Sequence, residues 1–268
     1  MSLNRPEKRN AINSQMWKEI GHAFKLIGSA GDGCRCVLLV GNGKAFCAGI
    51  DISDPNFGLL EASDAGVKAD TARRYLSFRY KILDMQRALT EVENCAVPVV
   101  AAIHGACIGA GIDLSCCADI RICSESAQFG IRETMLGLAA DVGTLQRFPK
   151  IVAGSSRARE LCYTGENFPA DEAAAIGFVS RVSSSEKDLL QSAMEVCTKI
   201  AGNSPVAVSG TKLSLNYSRD HSVTEGLEHI AMHNSAALMT DDLAASFMSK
   251  SHGGDETPFA HLLAHSKL

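Results

Sequence analysis

Three carboxylates crowd into a stretch otherwise built of small and apolar residues. Asp113 lies in "IHGACIGAGIDLSCCADI" (103–120), behind three glycines, and Glu133 and Asp141 follow in "GIRETMLGLAADVGTLQRF" (130–148). Grouped acids suit proton transfer, one ionised as a base and another kept protonated as an acid. In apolar surroundings such groups raise one another's pKa, which keeps a proton available at neutral pH. Each acid also has a plainer use. Asp113 falls in a helix's first turn, where the dipole favours a carboxylate. Asp141 could cap the helix that starts near 143. Glu133 could be a surface residue after a strand.

Two glycine turns accompany the acids. "GACIGAG" (105–111) follows a strand pattern and opens a helix, so unpaired N–H groups point one way beside the small residues Gly109, Ala110 and Gly111. "FCAGID" (46–51) is a second such turn. One N–H from each, meeting on one carbonyl oxygen, would make an oxyanion hole; the alternative is two ordinary tight turns. Neither turn has nucleotide-binding spacing. In "GNGKAFCAG" (41–49) Leu38 stands where a P-loop needs glycine and Ala45 where it needs Ser or Thr, and 105–111 is not G-x-G-x-x-G. There is no G-x-S-x-G elbow for a serine nucleophile.

The elements that must position these groups alternate. "CVLLVGNG" (36–43), "PVVAAIHG" (98–105), "ADIRICSE" (118–125), "SAQFGI" (126–131) and "GFVSRV" (177–182) read as strands. Helical patterns fall at about 14–29, 70–93, 110–117, 143–152, 155–163, 170–176 and 186–201. Strands separated by helices predict an α/β fold. After about 202 the strands stop and three helical patterns follow, rich in Ala, Leu and Met. The chain therefore divides into a core over 1–200 that carries the site and a helical region over 201–268 suited to subunit contacts. Segment 53–69 is polar and is expected to be a mobile loop near the site.

Composition excludes several classes. The 268 residues are 46% hydrophobic and 21% charged with a net charge of -4, which gives length for a real core and no basic excess for nucleic acid. No apolar run reaches the ~18 residues of a membrane span. The ten cysteines lack paired zinc-ligand spacing and read as reduced, buried small residues. No metal and no cofactor is expected. The start of the chain makes a poor transit or secretory signal. The sequence ends Ser266-Lys267-Leu268, a peroxisomal address read by an import receptor.

Taken together and in order, "NRPEKRNAI" (4–12), "KAFCAGID" (44–51), "PVVAAIHGACIGAGIDL" (98–114), "CADIRICSESAQFG" (117–130) and "GLAADVGTLQRFPKIVAG" (137–154) resemble the enoyl-CoA hydratase/isomerase, or crotonase, superfamily along nearly the whole chain. Within it the chain looks most like the Δ3,5-Δ2,4-dienoyl-CoA isomerases. Hydratases carry Glu at the positions of Asp113 and Glu133 and usually glycine at that of Asp141, whereas the isomerases carry Asp, Glu and Asp. "SRDHSV" (218–223) also looks like that subgroup.

The resemblance implies a spiral of repeated ββα units, a helical C-terminal part for trimers that pair into hexamers, and an acyl-CoA thioester as substrate, coenzyme A being part of it. It implies Ile50 and Ala110 as the oxyanion N–H donors, the second being more often glycine. It implies a substrate-binding surface of Ala48, Gly49, Ile50, Asp51, Ile52 and Ala110. Glu133 would be the base at C2, Asp141 the acid at C6, and Asp113 would orient or tune the pair. Family members usually have a strand before "NRPEKRNA"; only Met1 to Leu3 precede it here, so either the strand is truncated or it is absent. Two other readings stand beside isomerisation: hydration of a 2-enoyl-CoA, and a non-catalytic acyl-CoA-binding or assembly protein on the same fold.

Overall fold

The computed structural model describes residues 1–30, 33–57, 70–251, 257 and 259–262. Its first elements are β1 (Ser2–Leu3), α1 (Ser14–Ala30), β2 (Val37–Gly41), α2 (Thr71–Glu93), β3 (Val99–Ile103) and β4 (Ala106–Ile108). Then come α3 (Ala110–Cys116), β5 (Ile120–Ser124), β6 (Gln128–Gly130), α4 (Thr144–Ile151), α5 (Ser155–Thr164) and β7 (Asn167–Pro169). The core closes with α6 (Ala170–Ala175), β8 (Arg181–Ser183) and α7 (Glu186–Ala201), and α8 (Pro205–Ser218), α9 (Val223–Ala237) and α10 (Asp241–Ser251) follow without a strand. The expected α/β architecture is present.

Five strands form a parallel sheet in the order β1-β2-β3-β5-β8, and three form a smaller one in the order β4-β6-β7. All five residues of β3 are buried, which is why "PVVAAI" is a continuous apolar run: helices or sheet cover both faces. Consecutive strands split between the sheets. β3 joins the large one, then the chain turns at Gly105 (φ +55) and β4 joins the small one, with α3 behind it. A side chain at Gly105 would run into the Lys44 carbonyl, so glycine is required there. β5 and β6 repeat the same step one layer on. These are the ββα turns of the spiral. Segment 46–50 supplies the matching turn of the preceding layer through a parallel bridge between Cys47 and Cys107.

Four phenylalanines, Phe129, Phe148, Phe168 and Phe178, pack with ring centroids 5.2–6.1 Å apart. They seat α4 against β6 and β7. At its other side α4 is tied by Arg147, whose guanidinium donates to the buried Glu93 carboxylate of α2 at 3.1 and 2.7 Å. Arg219, at the end of α8, pairs with the same carboxylate. Buried Lys212 of α8 reaches the Val97 carbonyl at 3.1 Å and Asp119 at 2.8 Å. The C-terminal region is thus anchored to the core by ion pairs at Glu93 and Asp119, and Lys150 of α4 also pairs with Asp220.

Some sequence expectations are corrected. Ser2 and Leu3 form a short strand paired in parallel with Val40 and Gly41, so of the two alternatives for the start of the chain the strand is not absent. β4 and β7, of three residues each, were not foreseen; each directly precedes a helix pattern. Of the expected loop 53–69, Pro55–Phe57 is a 3-10 turn and 58–69 lies outside the described residues. Residues 266–268 lie outside them too.

Candidate active site

The two glycine turns face each other because the Cys47–Cys107 bridge leaves them no choice. Phe46 N–H donates to His104 O at 2.8 Å, Cys47 N–H to Ala106 O at 2.9 Å, and Ile108 N–H to Cys47 O at 3.0 Å. The backbone then departs from this ladder on both sides at a glycine with positive φ, Gly49 (+103) and Gly109 (+50). A Cβ built on Gly109 would lie 3.9 Å from Gly49 Cα. The turns are in contact.

An inventory of N–H groups identifies what each turn offers. In the first, Ala48 N–H goes to Arg9 O at 3.0 Å and Asp51 N–H to Ile12 O at 2.9 Å. Segment 9–12 thus takes up the flanking donors, and Ile50 N–H has no partner among the described residues. Asn10 holds that segment in place. It is fully buried in left-handed backbone (φ 56), with its amide on Asn42 O and Ala45 O, both at 2.8 Å. In the second turn, Gly109 N–H goes to Gly130 O at 2.8 Å, while Gly109 O accepts from Ile112 and Asp113. Ala110 and Gly111 open α3, and their N–H groups have no partner among the described residues. The expected donors, Ile50 and Ala110, are therefore free on adjoining turns.

The carboxylates converge on the same place. Glu133 opens a 3-10 turn (Glu133–Leu136) that Gly137 ends in left-handed backbone. Its Oε1 would be 3.3 Å from a Cβ on Gly109, and its buried Oε2 has no hydrogen-bond partner. Burial first, and then the Asp141 charge, push its pKa up. Asp141 is itself pushed up by partial burial. Asp113 is 1% exposed and raised to about 7, chiefly by burial, with Thr144 opposing and the Glu133 and Asp141 charges adding. The charges of Glu133 and Asp141 thus act on Asp113, and that of Asp141 on Glu133.

The plainer uses fare differently. Asp141 is not a helix cap: α4 starts at Thr144 after Gly143, whose φ of +139 belongs to glycine, and no cap side chain is present. That work falls to Asp113 instead. Its Oδ1 accepts from Thr144 N–H at 2.7 Å and Thr144 Oγ1 at 2.6 Å, reaching from α3 to another helix. Thr144 was not anticipated; only its place at the start of a helix, next to an acid-bearing loop, could have pointed to it. Ala48 and Gly49 belong to the first turn. The carboxylate of Asp51 is engaged elsewhere, bonded to Ser53 and paired with Arg5 at 2.9 Å, which hold its pKa low. The Ile52 side chain is 69% exposed beyond it.

No group of three or more His, Cys, Asp or Glu among the described residues could hold a metal ion. His229 and His233 stand four apart on α9, a helical pair spacing, and His229 stacks on Tyr217 with centroids 4.0 Å apart. A groove of about 840 Å³ runs between α8, α9 and α10 and contains none of the three acids.

Burial of Asp113 has a measurable cost. The folded protein keeps a proton that the unfolded chain releases above its ordinary pKa of 3.8. Stability from this group is full below about pH 4 and is lost as pH rises through about 7, by up to about 4 kcal/mol. Asp113→Asn stays neutral and can still accept from Thr144. Its melting temperature should exceed that of the wild type by several degrees at pH 8, with the gap closing near pH 4. A gap independent of pH would contradict this.

Comparison with known proteins gives a consistent result. The enoyl-CoA hydratase/isomerase family model matches residues 1–249. The chain is 44% identical over 246 residues to the mitochondrial Δ3,5-Δ2,4-dienoyl-CoA isomerase of Mus musculus, covering 92% of this chain and 74% of that one. It is 42% identical over 241 residues to the peroxisomal Δ3,5-Δ2,4-dienoyl-CoA isomerase of Arabidopsis thaliana, covering 90% and 85%. Among solved structures, an enoyl-CoA hydratase from Bacillus anthracis superposes with a TM-score of 0.83 at 28% identity, covering 96% of this chain and 93% of that one. With its parallel spiral, its facing turns and these relatives, the chain belongs to the enoyl-CoA hydratase/isomerase family.

Proposed function

We propose that the protein isomerises 3,5-dienoyl-CoA to 2,4-dienoyl-CoA. The observation that carries this reading is the unpartnered Oε2 of Glu133, buried beside two turns with free N–H groups and in the field of a second raised acid, Asp141. A buried carboxylate oxygen without a donor is costly and calls for a reason; a base awaiting a carbon acid supplies one. The relatives from Mus musculus and Arabidopsis thaliana are named for this activity.

The thioester oxygen would sit on the Ile50 and Ala110 N–H groups, which stabilise negative charge developing there, at about 3–4 kcal/mol for a donor of this kind. Glu133 takes a proton from C2. The electron pair spreads as a dienolate from the thioester oxygen to C6. Asp141 delivers a proton to C6, and the double bonds come to rest at C2 and C4. Net charge and proton count are unchanged, so no cofactor is needed. Asp113, in the field of both, would orient or tune the pair. Hydration of a 2-enoyl-CoA needs two carboxylates gripping one water; Asp113 spends one oxygen on Thr144, which favours isomerisation.

Asp141→Asn should fold normally and lose about 10²–10⁴-fold in isomerisation while still exchanging the C2 proton with solvent. Glu133→Gln should lose both. An Asp141→Asn enzyme at wild-type rate would remove Asp141 from the mechanism.

Assembly and location complete the proposal. Leu215, Leu227, Met232 and Phe247 on α8–α10, and Met239 between α9 and α10, are exposed, an apolar surface suited to subunit contact, as trimers or paired trimers. Ser266-Lys267-Leu268 would bind a peroxisomal import receptor; the relative from Arabidopsis thaliana is named as peroxisomal and that from Mus musculus as mitochondrial. Deleting the three residues should leave the protein outside peroxisomes while light scattering still gives a mass near six chains. Continued import would refute the address, and a single-chain mass would refute the assembly.

A further inference from the structure

Asp113 and Thr144 join two parts of the site that the reaction must keep in register. Asp113 is one turn along α3 from Ala110, whose N–H would hold the thioester oxygen. Thr144 is the first residue of α4, three positions after Asp141, the acid at the far end of the dienolate. Both Thr144 donors fall on one oxygen, Asp113 Oδ1, at 2.7 and 2.6 Å. Thr144 is fully buried, and α4 behind it is fixed by the Arg147–Glu93 ion pair and by Phe148 in the phenylalanine cluster. The donors are therefore presented by a rigid element. An oxygen accepting two short hydrogen bonds is the poorer place for an acid's proton, so when Asp113 is protonated the proton sits on Oδ2.

We propose that Thr144 is a positioning residue for the isomerisation: through Asp113 Oδ1 it holds the oxyanion end of α3 and the Asp141-bearing entry to α4 at one spacing, and it directs the Asp113 proton to Oδ2. This rests on the isomerase reading. It assigns a role to a residue that touches neither the substrate nor the reacting atoms. The hydroxyl is the part to test, since the N–H remains in any variant. Thr144→Val keeps the shape and loses the O–H; Thr144→Ser keeps the O–H.

The experiment measures kcat, KM and the pH profile of 3,5-dienoyl-CoA isomerisation for wild type, Thr144→Val and Thr144→Ser, with a carbon-13 NMR titration of the Asp113 carboxyl in each. Thr144→Val should lose roughly 10–100-fold in kcat with little change in KM, since misplacement of ~1 Å costs about 10²-fold. Loss of a donor to the carboxylate raises the Asp113 pKa, so the Asp113 titration and the pH profile should both move to higher pH. Thr144→Ser should return kcat, profile and titration close to wild type. If Thr144→Val does not fold, Thr144→Ala removes the same hydroxyl and should show the same shifts. A hydroxyl-free variant with wild-type kcat and profile, or a serine variant as impaired as the valine one, overturns the proposal. A wild-type enzyme inactive on 3,5-dienoyl-CoA overturns the isomerase reading instead, and the NMR titration then still reports whether Thr144 governs the Asp113 proton.

Discussion

Where the chain crosses from the ladder around Cys47 and Cys107 into its two glycine turns, hydrogen bonding determines what is left over. The N–H groups of Phe46, Cys47 and Ile108 are consumed by the bridge, and those of Ala48 and Asp51 by segment 9–12. Ile50, Ala110 and Gly111 remain without a partner among the described residues. A spiral of ββα units repeats the same turn one layer apart, so two equivalent turns are stacked, and their leftover donors lie side by side. The motif "NRPEKRNAI" has its physical reason here. Asn10, in left-handed backbone, and Arg5, paired with Asp51, clamp the segment that saturates the first turn. The site is a by-product of fold geometry, refined by which donors the surroundings use up.

Against this frame of donors the protein groups three ionisable acids, which opposes folding. Three acids with raised pKa values share one region, and no Lys or Arg forms a salt bridge with any of them among the described residues. What offsets the cost is local and specific. Thr144 and the start of α4 serve Asp113. Solvent reaches Asp141. Glu133 alone keeps a buried oxygen with no donor. Strong ion pairs are placed one shell away, at Glu93–Arg147–Arg219 and Asp119–Lys212, where they fasten α4 and the C-terminal helices rather than neutralise the acids. Charge compensation is kept out of the acid cluster.

Much of this was legible in the sequence. Long periodic segments such as 186–201 became helices with those bounds, and buried runs such as "PVVAAI" became parallel strands. The acid set and both glycine turns were visible because their residue types are unusual for their surroundings. What was missed depends on contacts across space. β4 and β7 each directly precede a helix pattern. The cap of α4 comes from Asp113, thirty-one positions earlier, so no local rule could take Asp141 out of the capping role or bring Thr144 into view. Asp51 sits in a turn beside the site, yet its carboxylate is committed to Arg5 forty-six positions away.

The central claim is that two different groups handle the two protons, one at each end of the dienolate. A single turnover of 3,5-dienoyl-CoA in heavy water, with the label located by NMR, tests it most directly. Proton delivery from a solvent-exchanged Asp141 places one deuterium at C6 of the 2,4-dienoyl product. A product whose C6 carries only the proton removed from C2 would mean that one group does both jobs.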